Sequence, residues 1–188
     1  MRANSSPFSS LPRQQANKGF TLIEVLVAFI ILTVGLLGTV ALQTNAKQAS
    51  YDANQRSAAL ALANDIMERI RANDTADIVV NYSKTFSYKN TPVSKNCLNI
   101  RCSSSDIAEY DLSQWQKALR VADNTGTLAN GTVCIRPTAD DNGVFLRVVV
   151  AWQGRQKLTE ATNKDIQCGT TSNRRTVVLD SYVFMREA

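Results

Sequence analysis

The chain has 188 residues, with 21 basic and 16 acidic side chains, four cysteines and no histidine. That length accommodates a membrane segment and one modest domain. Without histidine there is no Ser-His or Cys-His nucleophile and no imidazole metal ligand.

Residues 1–19 are polar, Ser-rich and basic, with no apolar pattern, and read as a disordered cytoplasmic leader. Arg2, Arg13 and Lys18 precede an apolar run, which favours an N-in, C-out orientation. From Phe20 to Leu42 the only charge is Glu24 and there is no proline. As a helix this run spans roughly 35 Å, enough to cross a hydrocarbon layer of about 30 Å. An ordinary secretory signal, cut after Ala41 or Ala46, would carry a shorter and uncharged apolar core. A plain uncleaved anchor is the other alternative. Glu24, one turn into the run, can snorkel or protonate near the membrane edge. If the chain is cut between Gly19 and Phe20, Glu24 can instead neutralise the new α-amine on Phe20 of a neighbouring subunit.

The string Gly19-Phe20-Thr21-Leu22-Ile23-Glu24, followed by an apolar helix, closely resembles the class III signal of type IV prepilins and pseudopilins. The resemblance implies cleavage after Gly19 by prepilin peptidase, N-methylation of Phe20 by the same enzyme, and a subunit-docking role for Phe20 and Glu24. Loss of the leader leaves 18 basic against 16 acidic residues, a side-chain sum of +2. That is ordinary solubility rather than a nucleic-acid footprint.

Gly35 and Gly38 lie three apart in the span, either as tolerated glycines or as a thin face for helix–helix approach. Beyond the span, Leu42, Ala46, Ala49, Ala53, Leu60, Ala63, Met67 and Ile70 recur at helical steps, with Arg56 as the one break. The pattern predicts one continuous helix over residues 20–72, roughly 75 Å long, whose amphipathic lower half seats a globular domain. A coiled-coil stalk is the competing reading, but its heptads are few and weak. Asn73-Asp74 ends the helix.

Residues 73–188 are expected to form a periplasmic α+β domain. Ile78–Tyr82 and Thr85–Tyr88 read as short strands and 90–96 as a loop. Ser103-x-x-Asp106, or Ser104, is placed to cap a helix of about residues 105–120, with apolar contacts from Ile107, Leu112, Trp115 and Leu119. Trp115 reads as a core anchor. A turn-rich stretch, Asp123–Gly131, leads to a strand at Thr132–Arg136 that stops at Pro137. After the turn Asp140-Asp141-Asn142-Gly143, alternate residues Val144, Leu146, Val148, Val150 and Trp152 make one apolar face. Thr176–Phe184 gives the last strand, with Val177, Leu179 and Val183 on one face. The short connections favour an antiparallel meander covering the lower half of the long helix.

Cys97, Cys102, Cys134 and Cys168 all follow the span and so belong to an oxidising space. Three pairings are possible. The preferred set is Cys97–Cys102, closing a small loop, and Cys134–Cys168, tying a strand to the final loop. Zinc is disfavoured by the lack of close CxxC pairs and histidine. Asp140–Gly143 lacks the remaining ligand spacing of a calcium loop. Arg174-Arg175 reads as a solvated basic pair, and nothing points specifically to nucleic acid. No cofactor is implied.

Gly35–Gly38, the stretch Tyr110–Leu119 and the strand ending Val150-Ala151-Trp152 together resemble the PilV-type minor pilins. Two features depart from that resemblance: the leader is rather long, and the cysteine spacing differs from the C-terminal pair of many major pilins, which argues against a major subunit. The resemblance implies a non-enzymatic subunit of the type IV pilus fimbrium, with the major pilin and other minor pilins as partners. It implies a single-pass protein of the bacterial inner membrane that primes pilus assembly, sits at the tip, and supports adhesin display and twitching motility. A type II secretion pseudopilin and a membrane-tethered binding module are the alternatives.

Overall fold

The structure is a computed structural model that describes residues 19–92, 95–155, 166–169 and 173–185. Apart from Gly19, the expected leader lies outside the described residues. The protein is α+β with the type IV pilin-like arrangement of a long N-terminal helix and a small antiparallel four-stranded sheet. It divides into two units at Ala46.

The first unit holds the start of α1 (Leu22–Ala72). Every described residue up to Ser50 is exposed. The apolar run is long and apolar enough to cross a membrane.

The second unit contains the rest of α1, then α2 (Ile78–Tyr82), β1 (Lys84–Ser87), α3 (Ser104–Asn124), β2 (Thr132–Asp140), β3 (Gly143–Gln153) and β4 (Arg174–Phe184). The strands lie in sequence order as an antiparallel meander. Val144, Leu146, Val148, Val150 and Trp152 are all buried, in one core with Ala59, Ala63, Ile66, Met67 and Ile70 of α1. Alternation on β3 and a three- and four-residue step on α1 therefore meet in one apolar layer.

Three expectations need correcting. Ile78–Tyr82 is helical, not a strand. A strand would put Val80 on the same face as Ile78 and Tyr82, whereas the helix buries those two and leaves Val80 74% exposed. β2 runs through Pro137 to Asp140. Its neighbour β1 reaches only to Ile135, so Pro137 sits where β2 has one open edge and the missing N–H costs little. On α3, Ala108 and Asp111 are buried instead of Ile107. On α1 the buried face starts at Gln55, beyond the exposed Ala46, Ala49 and Ala53, and carries the larger Ile66, Met67 and Ile70, as the sequence pattern predicts.

Gln55 is buried because its amide is satisfied from both sides. Its Nε2 donates to the Gly126 carbonyl at 3.4 Å, and its Oε1 accepts from Trp152 Nε1 at 3.3 Å. The Tyr51 hydroxyl donates to the same carbonyl at 2.7 Å. Gly126 has a φ of 74°, which other side chains rarely adopt, so glycine holds this acceptor in place.

A polar network ties the end of α1 to α2 and α3. Arg69 donates to Asp65 and, at 3.2 Å, to Asp111 Oδ1. Tyr82 donates to Asp111 Oδ2 at 3.0 Å, Asn73 donates to Tyr82 Oη and the Ser104 carbonyl, and Trp115 Nε1 donates to Asp65. Burial pushes the Asp111 carboxyl up from its ordinary pKa, against the pull of Arg69 and Tyr82. Burial also pushes the Tyr82 phenol well up. Trp115 is buried in the core beside Tyr82.

Candidate functional site

The N-terminal turn of α1 is built by Thr21. Its carbonyl accepts from Glu24 N at 3.1 Å and from Val25 N, and its hydroxyl accepts from Glu24 N at 3.4 Å. Thr21-x-x-Glu24 has the spacing of a helix-capping pair, which places the carboxylate in the first turn, where the exposed N–H groups favour negative charge. Thr21 is a positioning residue that the motif reading passed over, although its spacing to Glu24 was visible.

Phe20 is 82% exposed, and Gly19 precedes it outside the helix. Phe20, Glu24, Ala28 and Leu32 follow one another at four-residue steps and, with Val25 and Phe29, line an open groove of about 490 Å³. The groove is apolar except for the Glu24 carboxylate. Glu24 makes no ion pair among the described residues.

The rest of the exposed run satisfies its own polar atoms. Thr33, Thr39 and Thr44 donate their hydroxyls to the carbonyls of Ile30, Leu36 and Val40. That leaves no side-chain donor of these threonines facing hydrocarbon unpaired. Gly35 and Gly38 have nothing within 4 Å of an added Cβ among the described residues, so none of these requires a glycine there.

The cysteines are joined as Cys97–Cys102 and Cys134–Cys168. The first closes a loop just before α3. The second pins residue 168 over the outer face of the sheet, in a small cluster with Val149, Ala151, Ile166 and Val178. All four sulfurs are used, so no thiolate is left to ligate zinc. Among the described residues no group of three or more acidic or thiol ligands converges on a metal position. Asp140–Gly143 is the β2–β3 hairpin turn, with Asp140 paired to Gly143.

An exposed apolar helix opened by Gly-Phe-Thr-Leu-Ile-Glu, running into a domain with a four-stranded antiparallel sheet, defines a type IV pilin-like protein. A family model for the prokaryotic N-terminal methylation motif matches residues 14–40, and one described as type IV pilin Tt1218 matches residues 41–113. The second match runs from the membrane helix into α3. No curated protein matches the chain, and no solved structure does. The chain is thus a membrane-anchored, type IV pilin-like subunit with a prepilin methylation motif. Such a subunit is structural and non-enzymatic, is processed by a peptidase, and assembles with other pilins.

Proposed function

We propose that this chain is a PilV-like minor pilin. Prepilin peptidase cuts between Gly19 and Phe20 and methylates the Phe20 amine. The mature subunit then joins other minor pilins in a complex that primes fibre growth and stays at the pilus tip. The domain lies in the periplasm before assembly, in keeping with two disulfides.

One observation carries this reading. The Glu24 carboxylate stands at the end of an exposed apolar groove with no ionic partner among the described residues. A buried charge without a partner is costly, so a membrane-embedded Glu24 calls for a cation from outside the chain. The methylated amine of a neighbour's Phe20 has the right charge and arrives only on assembly. The PilV-type resemblance adds Tyr110–Leu119, which lies on α3 with Asp111, Trp115 and Leu119 buried, and Val150-Ala151-Trp152 on β3.

The test is the intact mass and N-terminal sequence of the membrane-extracted protein, with and without prepilin peptidase. A chain starting at N-methylated Phe20 supports the reading. A start after Ala41 or Ala46, or an intact Met1, removes it. Deletion then separates the two assemblies. Loss of fibres and twitching with secretion intact favours the minor pilin, and the reverse makes the chain a type II secretion pseudopilin.

A further inference from the structure

Arg174-Arg175 reads in the sequence as a solvated basic pair. In the structure the two residues belong to a cluster. They line an open cleft of about 500 Å³ together with Asp52, Arg56 and Thr176. Arg155, next to Gly154, stacks its guanidinium over the Tyr51 ring at 3.9 Å. Three guanidinium groups, of Arg56, Arg174 and Arg175, therefore line the cleft with one carboxylate, a local sum of +2. The whole mature chain sums to +2.

These charges are arranged unequally. Arg174 is held by main-chain carbonyls of Ile166, Cys168 and Gly169, which fix its position without neutralising it. Arg175 gives one nitrogen, Nη2, to Asp52 at 3.2 Å. Its Nε is buried and has no acceptor among the described residues. Gly154 makes this placement possible, because a Cβ there would lie 2.5 Å from that Nε. Arg56 is exposed and makes no ion pair among the described residues.

We propose that this cleft binds a phosphate group, supplied by the headgroup of an anionic phospholipid. Guanidinium forks match the geometry of phosphate oxygens, and neither Arg56 nor Arg174 has a carboxylate partner among the described residues. The Thr176 hydroxyl lines the same cleft and adds a neutral donor. Asp52 follows Leu42, the end of the apolar run, by ten residues. Ten residues reach no further than about 35 Å, so the cluster is tethered near the bilayer that anchors the chain. Free phosphate is the other source of the same chemistry. The lipid source rests on the membrane-anchored reading, while the phosphate site does not.

The test uses the full chain in an uncharged detergent at low salt, followed by calorimetric titration. The probes are inorganic phosphate, dihexanoylphosphatidylglycerol, and dihexanoylphosphatidylcholine as a control for mixing with the micelle. The anionic lipid is expected to saturate and to bind about tenfold more tightly than inorganic phosphate. The double variant Arg56→Gln/Arg175→Gln is expected to weaken this by about tenfold or more, as loss of charged hydrogen bonds does. Arg56→Gln alone is expected to weaken it severalfold without moving the melting temperature, which separates lost binding from lost folding. Equal, Arg-dependent affinity for phosphate and the anionic lipid removes the lipid and leaves free phosphate as occupant. Affinity unchanged in both variants, or no saturation by either anionic probe, overturns the site. Release of the chain from membranes by a carbonate wash would instead remove the anchoring reading alone.

Discussion

The Tyr82 hydroxyl donates to the buried Asp111 carboxylate at 3.0 Å and so locks α2 against α3. Asn73, at the end of α1, donates to the same phenol oxygen, and Arg69 holds the other carboxylate oxygen. Three helices thus share one satisfied polar cluster. Tyr82→Phe strips Asp111 of a donor in a site water does not reach. The expected loss is about 1–3 kcal/mol by chemical denaturation of the full chain in detergent.

The same carboxylate imposes a pH dependence. Burial raises its folded pKa above the unfolded value. Its contribution to stability is therefore fully present below the ordinary carboxylate range and is lost as pH rises through the raised value. Asp111→Asn keeps the shape and accepts the same phenol proton without the charge. Melting temperatures of the variant are expected to fall less than those of the wild type as pH is raised from acid to neutral.

Asp106 works in the opposite sense. Lys95 beside it, with the Ser103 backbone and hydroxyl donors, lowers its carboxyl to about 2. This contribution is present above the ordinary value near 4 and disappears as pH falls through about 2. Ser103 and Asp106 form a reciprocal cap on α3. Asp106→Ala is expected to abolish the acid-dependent part of α3 stability, read as hydrogen exchange of its first turn against pH.

The core contact of α1 rests on Ile66, which is fully buried between the helix and the sheet. Ile66→Ala is expected to cost about 2–5 kcal/mol in equilibrium unfolding. A loss below 1 kcal/mol would mean that the helix does not depend on the sheet for its lower half.

The two disulfides close loops of very different length, with sequence separations of 5 and 34. Chain-entropy reasoning gives about 2 kcal/mol for the short loop and about 4 kcal/mol for the long one. Cys134→Ser/Cys168→Ser is therefore expected to lower the melting temperature more than Cys97→Ser/Cys102→Ser. It also uncovers Val149 and Ala151 on the outer sheet face.

At the N-terminus, two substitutions separate processing from docking. Gly19→Leu is expected to leave the full-length precursor in the membrane, seen by mass. Glu24→Val is expected to be cut normally but to be depleted from sheared fibres. Wild-type incorporation of Glu24→Val would remove the ion-pair argument.

What the amino-acid order decided by itself is local. The peptidase motif, the apolar run and the capping pair Ser103–Asp106 each lie within a few turns of chain, and so does the alternation from Val144 to Trp152. Their physics is that of neighbours in sequence, namely helix periodicity, pleat and orphan N–H groups at a helix start. What the tertiary structure decided depends on partners far along the chain. A glutamine, Gln55, rather than Ala53, opens the buried face of α1, because Gly126 and Trp152 satisfy its amide. Ile78–Tyr82 is a helix because Asp111 and Asn73 meet the phenol there. Pro137 is accommodated inside β2 because β1 is only four residues long. Arg175 pairs with α1 because β4 begins beside Asp52. In each case the free energy comes from a polar group or an edge being satisfied at long range, and no window of sequence contains both halves of that contact.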